Sequence, residues 1–185
     1  KLPVLLLAHA NSATSSRACG KGTSIRVRSS QSPGQRSPLT SQRSERLIVA
    51  GGYYREICVA PEHDDVFGSG GRAALALALG DVDVDWHYYC PENKFETAAI
   101  SLAAAKLRHH PVPCSEIVTF KYFHPLSKPV FSPANPAENN KITVTGESIL
   151  RFGFMEGTAE VHGTRVVFDP QSPNEPERFG ANGST

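Results

Sequence analysis

Gly68-Ser69-Gly70-Gly71-Arg72-Ala73-Ala74-Leu75-Ala76-Leu77-Ala78-Leu79-Gly80 is the stretch on which the fold turns. Arg72 to Leu79 consists of strong helix formers and Gly80 closes it, so glycines stand at the N-terminus of a helix. Upstream, Leu47-Ile48-Val49-Ala50 is an apolar run ended by Gly51-Gly52, the pattern of a buried parallel strand with a tight exit. A second apolar segment, Ile57-Cys58-Val59-Ala60, stops at Pro61. Downstream, Asp81 to Tyr89 alternates with a period of two and turns aromatic, which predicts a strand. Pro91-Glu92-Asn93 punctuates it, and Phe95 to Leu107 reads as a helix carrying small residues. Strand, helix, strand and helix in that order predict an α/β sheet with crossover helices.

From Glu116 the texture changes. Ile117 to Phe123 alternates, and His124 to Pro136 holds four prolines. Ile142-Thr143-Val144 and Arg165 to Asp169 are further strand candidates, and Gln171 to Thr185 reads as loop. No internal repeat is present, and the expectation is of a domain that stops before its closing element.

Charge divides the chain in two. Before residue 47, eight basic residues face one acid, Glu45; after it, eleven basic residues face seventeen acidic ones. A basic, Ser-rich stretch cannot bury enough apolar surface to offset its chain entropy. Residues 1–46 are therefore expected to be a disordered leader and 47–185 the folded domain. Leu2 to Ala10 has the shape of a secretory apolar core with a small-residue cleavage site, which leaves a clipped signal, an organelle transit peptide and a spurious extension all open. Cys19, Cys58, Cys90 and Cys114 are dispersed with no C-x-x-C pair, which argues for reduced thiols and favours the cytoplasm. No apolar run reaches the length of a membrane span. The basic leader lacks the interleaved aromatics of a nucleic-acid binder.

The helix and its flanks carry a resemblance. Gly70-Gly71-Arg72-Ala73-Ala74-Leu75-Ala76-Leu77-Ala78-Leu79-Gly80 resembles the G-G-x-x-x-N-x-A-x-x-L-x-x-L-G signature of the ribokinase-like, PfkB-type carbohydrate kinases, with Leu75 where that family has Asn. Leu47 to Glu56 resembles the family's first strand and its sugar-binding acid, here Glu56. Tyr122-Phe123-His124-Pro125 falls where the family has the sheet that lids the sugar, and Val166 to Pro170 resembles its later strand ending in Asp-Pro. The resemblance implies a Rossmann-like ribokinase-type α/β sandwich with β lid strands, present as its N-terminal part. It implies Glu56, Gly70, Gly71 and Arg72 at a sugar or nucleoside site, and ATP with Mg²⁺ as cofactors. Chemically, a sugar needs a carboxylate that accepts two hydroxyls and bare backbone N–H groups nearby. Lid strands with free edges also leave a homodimer through them open.

Phosphoryl transfer further requires a base and an anion pocket. The family supplies both from a G-A-G-D motif, and none occurs in these 185 residues, so the catalytic Asp is expected beyond residue 185. Two N-x-x-E strings, Asn93 to Glu96 and Asn135 to Glu138, precede the Asp169 strand that should come first, and are read as chance.

Two alternatives stay open: a non-catalytic carbohydrate-binding module, and a dinucleotide site. The second rests on Gly68-x-Gly70-x-x-Ala73, with Asp85 as the ribose contact. Asp81, Asp83, Asp85 and Glu92 match calcium-loop spacing, but Trp86 occupies the obligatory glycine position. His87, Cys90, His109, His110 and His162 lack partners at metal-ligand spacing, so no metal is expected. Asn182-Gly183-Ser184 forms a lone glycosylation sequon.

Overall fold

A computed structural model describes residues 45–105, 107–172 and 175–185. The leader expected over residues 1–46 lies outside these, apart from Glu45 and Arg46. Both take part in ion pairs of the folded domain: Arg46 with Asp85 at 3.2 Å and Asp83 at 3.6 Å, and Glu45 with Arg165.

The chain runs β1 (Leu47–Ala50), β2 (Arg55–Cys58), β3 (His63–Asp65), α1 (Gly68–Leu79), β4 (Val84–Cys90), α2 (Phe95–Ala103), β5 (Arg108–Pro113), β6 (Thr119–Tyr122), β7 (Val130–Ser132), β8 (Ile142–Phe152) and β9 (Ala159–Asp169). The fold is α/β. Five parallel strands form the main sheet in the order β5-β4-β1-β8-β9, and a small second sheet has the order β3-β2-β6-β7. Both pairs of the second sheet are insertions that leave the carboxyl ends of main-sheet strands, β2-β3 after β1 and β6-β7 after β5. They therefore stand over the carboxyl edge of the main sheet.

Both helices lie on one face. Ala74 of α1 and Ala98 and Leu102 of α2 share a core with Val49, Val84, Trp86 and Tyr88. Trp86 is fully buried and donates from Nε1 to the Gly51 carbonyl at 3.0 Å, and its ring stacks on Tyr88 at 4.0 Å. The glycines expected before α1 form its first turn. A Cβ on Gly70 would stand 2.4 Å from the Gly51 carbonyl carbon, so the helix touches the end of β1 backbone to backbone. Gly68 has φ +58°, a conformation open to glycine at little cost.

Among the described residues no helix covers the other face. Parallel strands ordinarily need a crossover of a dozen or more residues, yet only residues 153–158 join β8 to β9. Such a linker reaches about 25 Å, whereas straight eleven-residue strands would require about 33 Å. The ribbon must fold back on itself, and Gly146 opposite Gly163 marks the bend. Ile142, Val144, Ala159 and Val161 consequently pack across the sheet onto Ala50, Tyr89 and Ile149. The Tyr89 hydroxyl fastens the ribbon, its one proton shared between the Asn140 and Thr158 carbonyls at 2.7 and 3.0 Å.

Strand β5 was not expected, because prolines normally argue against a strand. Cys114 N–H bonds the Cys90 carbonyl, so alternate positions 110, 112 and 114 face β4. Pro111 and Pro113 then face the open edge, where a missing donor blocks further strand pairing. The described residues of 171–185 hold no helix or strand, although Thr185 N–H bonds Val161 O and Gly163 N–H bonds Thr185 O. Asn182 of the sequon is engaged, its Nδ2 donating to Ala159 O at 2.7 Å and Thr158 Oγ1 at 2.9 Å. Among the described residues no helix is long and apolar enough to cross a membrane.

Gly70→Ala should lower stability by about 1–3 kcal/mol, because backbone atoms of Gly51 cannot yield as a side chain can. Gly80→Ala, where a Cβ meets nothing nearer than 3.4 Å, should stay within about 0.5 kcal/mol of wild type. Urea unfolding of both variants checks the difference.

Candidate functional site

Strand order locates the site. From β1 the chain steps through β4 to β5 on one side, then crosses to β8 and β9 on the other. Open α/β sheets bind ligands outside the carboxyl ends of the strands where the order reverses, here between β1 and β8. A cleft of about 430 Å³ lies there. Tyr54 follows β1, Gly153, Phe154 and Met155 follow β8, and Pro170, Gln171 and Ser172 follow β9. The first turn of α1 adds Ser69 and Arg72, and the second sheet adds Glu56, Phe120 and Tyr122.

Glu56 and Arg72 form an ion pair inside this cleft, with Arg72 Nη2 donating to Glu56 Oε1 at 3.1 Å. Burial pulls the Arg72 guanidinium below its ordinary range, opposed by Tyr122. Phe120 packs against Tyr54 at 5.3 Å and Tyr122 at 6.4 Å, giving the cleft an aromatic wall. The Ser69 hydroxyl is buried with no hydrogen-bond partner among the described residues. Gln171 has φ +61° and is held there by Asp169, whose oxygens accept from its backbone N–H at 3.0 Å and its Nε2 at 2.9 Å. Strained backbone of this kind persists where surrounding bonds over-determine it, commonly beside ligands.

Of the four residues singled out from the sequence, Glu56 and Arg72 line the cleft together. Gly70 and Gly71 do not face it. Their Cα positions press on Gly51 and on the Trp86 ring, and Gly71 N–H is bonded to Phe67 O at 3.1 Å. Their part is to let α1 approach the sheet, which sets Ser69 and Arg72 at the cleft mouth. Asp85 does not fit a ribose contact: it lies at the amino end of β4, held by Arg108 at 2.6 Å and Arg46 at 3.2 Å, on the edge away from the α1 N-terminus. The dinucleotide reading fails on that placement. His87 stacks on His110 at 4.4 Å, and burial together with His110 pulls it down to about 4.

Sequence reading missed Tyr54 and Glu156. Glu156 sits in the β8–β9 linker, only 4% exposed, and accepts from the Tyr54 hydroxyl at 2.9 Å and from Met155 N–H at 3.0 Å. Burial pushes its carboxyl up to about 7, against the lowering effect of those bonds. Burial and Glu156 raise the Tyr54 phenol well above its ordinary value.

Three other clefts are larger. One of about 610 Å³ lies at the amino edge around Asp83 and Asp85, one of about 670 Å³ lies on the outer side of the second sheet, where Arg55 and Asp64 pair with each other, and one of about 520 Å³ lies beyond β4 and β5, between Pro91, Pro113 and Asn139. None of them lies between β1 and β8 or contains Glu56.

No family model matches this sequence, and no curated protein matches it either. The chain is similar to a solved pyrophosphate-dependent kinase in the ribokinase family, complexed with a pyrophosphate analogue and myo-inositol: 10% identity, 63% of this chain and 48% of that one, TM-score 0.44. It is also similar to a sulfate complex of a pyrophosphate-dependent kinase in the ribokinase family, with 9% identity, 64% and 49% coverage and a TM-score of 0.36. A third is a pyrophosphate-dependent myo-inositol-1 kinase converted to a myo-inositol-3 kinase, with 8% identity, 64% and 46% coverage and a TM-score of 0.38. The chain spans about half the length of these structures. The cleft described above rests on its own geometry.

The Glu156 carboxyl, at about 7 in the folded chain, lies above its ordinary 4.5. Its ionisation therefore costs nothing below pH about 4.5 and progressively more up to pH about 7, by about 3 kcal/mol at most. Glu156→Gln should gain on wild type between pH about 5 and about 8, as followed by urea unfolding at each pH. An unchanged gap between the two proteins would contradict the assignment.

Proposed function

We propose that residues 47–185 bind a sugar or similar polyol in the Glu56–Arg72 cleft, as the sugar-binding part of a carbohydrate kinase. The observation that carries this reading is the carboxylate and guanidinium held together against an aromatic wall at the sheet's switch point. The carboxylate accepts two neighbouring hydroxyls, the guanidinium donates to a third oxygen, and Phe120 and Tyr122 offer apolar faces to the ring carbons. Gly70 and Gly71 serve the site by bringing α1 close. A cleft of about 430 Å³ suits a ligand of monosaccharide size.

The reading assigns binding, and no transfer step, to these residues. Mg²⁺ belongs to the reading taken from the sequence and would come with the donor; at the cleft Glu56 pairs with Arg72 and Asp169 accepts from Gln171. The donor is ATP in the reading taken from the sequence, and pyrophosphate is named for the solved neighbours. Both donors offer a phosphoanhydride to a sugar hydroxyl. A second copy of the chain is the expected partner, at the lid surface where Phe123, Leu126 and Val130 are exposed. Sedimentation of wild type and Leu126→Glu should show a dimer lost in the variant.

Calorimetric titration with a panel of ribose, myo-inositol and adenosine tests the cleft. At least one should bind, and Glu56→Ala should weaken it by about tenfold to a hundredfold, the loss expected for hydrogen bonds to a charged group. Tight NAD binding with no response to any polyol would overturn the reading. Incubated with sugar and either ATP or pyrophosphate, the 185-residue chain should yield no sugar phosphate.

A further inference from the structure

On the sheet face opposite the helices, one strong cation is incompletely used. Arg151, one residue from the carboxyl end of β8, is 0% exposed, and its guanidinium carbon lies 4.3 Å from the centre of the Phe168 ring. Nη2 donates to Glu177 Oε2 at 2.6 Å and to Thr158 Oγ1 at 3.3 Å. Nε and Nη1 have no partner among the described residues. An arginine cannot shed its proton, so three of its five N–H donors are buried and charged without an acceptor. Such groups normally find partners, and an orphan marks a place where one is missing.

We infer that Arg151 is a binding group for a phosphate-class oxyanion, for which the Glu177 carboxylate is the internal stand-in. Glu177 engages a single guanidinium nitrogen through one oxygen. A tetrahedral oxyanion in the same place spans Nη2 and a neighbouring nitrogen, the bidentate arrangement that guanidinium favours. Thr158 contributes a donor: its oxygen already accepts from Arg151 and from Asn182 Nδ2, which leaves its hydroxyl proton free for the anion. The stand-in is also the partner able to leave. The Glu177 side chain is 34% exposed against 0% for Arg151, so its carboxylate exchanges into water while the guanidinium stays. Ser184, which accepts from Val161 N–H at 3.0 Å, keeps the following segment anchored as Glu177 swings out. This site is separate from the Glu56–Arg72 cleft, and its test uses no sugar.

Calorimetric titration of the full chain with inorganic phosphate and with pyrophosphate decides it, on wild type, Glu177→Gln and Arg151→Lys. Removing the competing carboxylate in Glu177→Gln should tighten binding about tenfold, the equivalent of 1.4 kcal/mol. Added phosphate should then raise the melting temperature of Glu177→Gln more than that of wild type. Arg151→Lys, which keeps the charge but loses the fork, should weaken binding by about tenfold or more. Unchanged phosphate affinity in Glu177→Gln would overturn the inference, and so would wild-type affinity in a folded Arg151→Lys. Where Arg151→Lys does not fold, the Glu177→Gln comparison decides alone.

Discussion

The backbone contact between Gly70 of α1 and Gly51 at the end of β1 sets the position of nearly everything at the carboxyl edge. With any side chain at either place the helix would stand off the sheet, because the Cβ would fall 2.8 Å or less from backbone atoms. Close approach brings the Gly51 carbonyl to Trp86 Nε1 and so locks β1 to the aromatic core of β4. It also fixes the first turn of α1 beside the chain leaving β1, which places Arg72 against Glu56 although they are sixteen residues apart. The ion pair is thus a consequence of helix packing. The pair is half exposed on its Arg72 side and contributes little to stability; lying beside aromatic rings, it matters more for its hydrogen-bonding capacity toward a ligand.

Two buried charged groups flank the same edge. Glu156 stands behind the cleft wall, its proton affinity raised by burial and partly offset by Tyr54 and Met155. Arg151 lies nearby on the same strand and linker, on the face that the folded β8–β9 ribbon and segment 175–185 cover. Burying ionisable groups costs free energy unless they are fully bonded, and among the described residues Arg151 is not. The carboxyl edge accordingly carries unmet polar capacity, at Ser69 and Arg151, and a strained backbone, at Gln171. The helix-covered core around Trp86 has none of these features.

The sequence made β1, α1, β4 and β6 legible because their patterns follow local rules: apolar runs, strong helix formers, alternation. Strand β5 escaped because the rule against proline in strands holds for paired positions, and Pro111 and Pro113 sit on an open edge. The length of β8 escaped because Gly146, Glu147 and Ser148 break the apolar alternation at the bend. A fold-back of a parallel ribbon depends on linker length against strand length, which periodicity cannot show. Of the site residues that the resemblance implies, Glu56 and Arg72 meet in one cleft, whereas Gly70 and Gly71 pack against Gly51 and the Trp86 ring. No local pattern marks Tyr54 or Glu156, since the burial and the bond that make them unusual join segments about a hundred residues apart in sequence.

The central claim is that the Glu56–Arg72 cleft receives a polyol, and a crystal structure of the chain with a bound polyol tests it most directly. Hydroxyl oxygens should lie within about 3.2 Å of both the Glu56 carboxylate and the Arg72 guanidinium, with the ring against Phe120 or Tyr122. A polyol found instead at the amino edge beside Asp83 and Asp85, or on the outer side of the second sheet beside Asp64, would contradict the account.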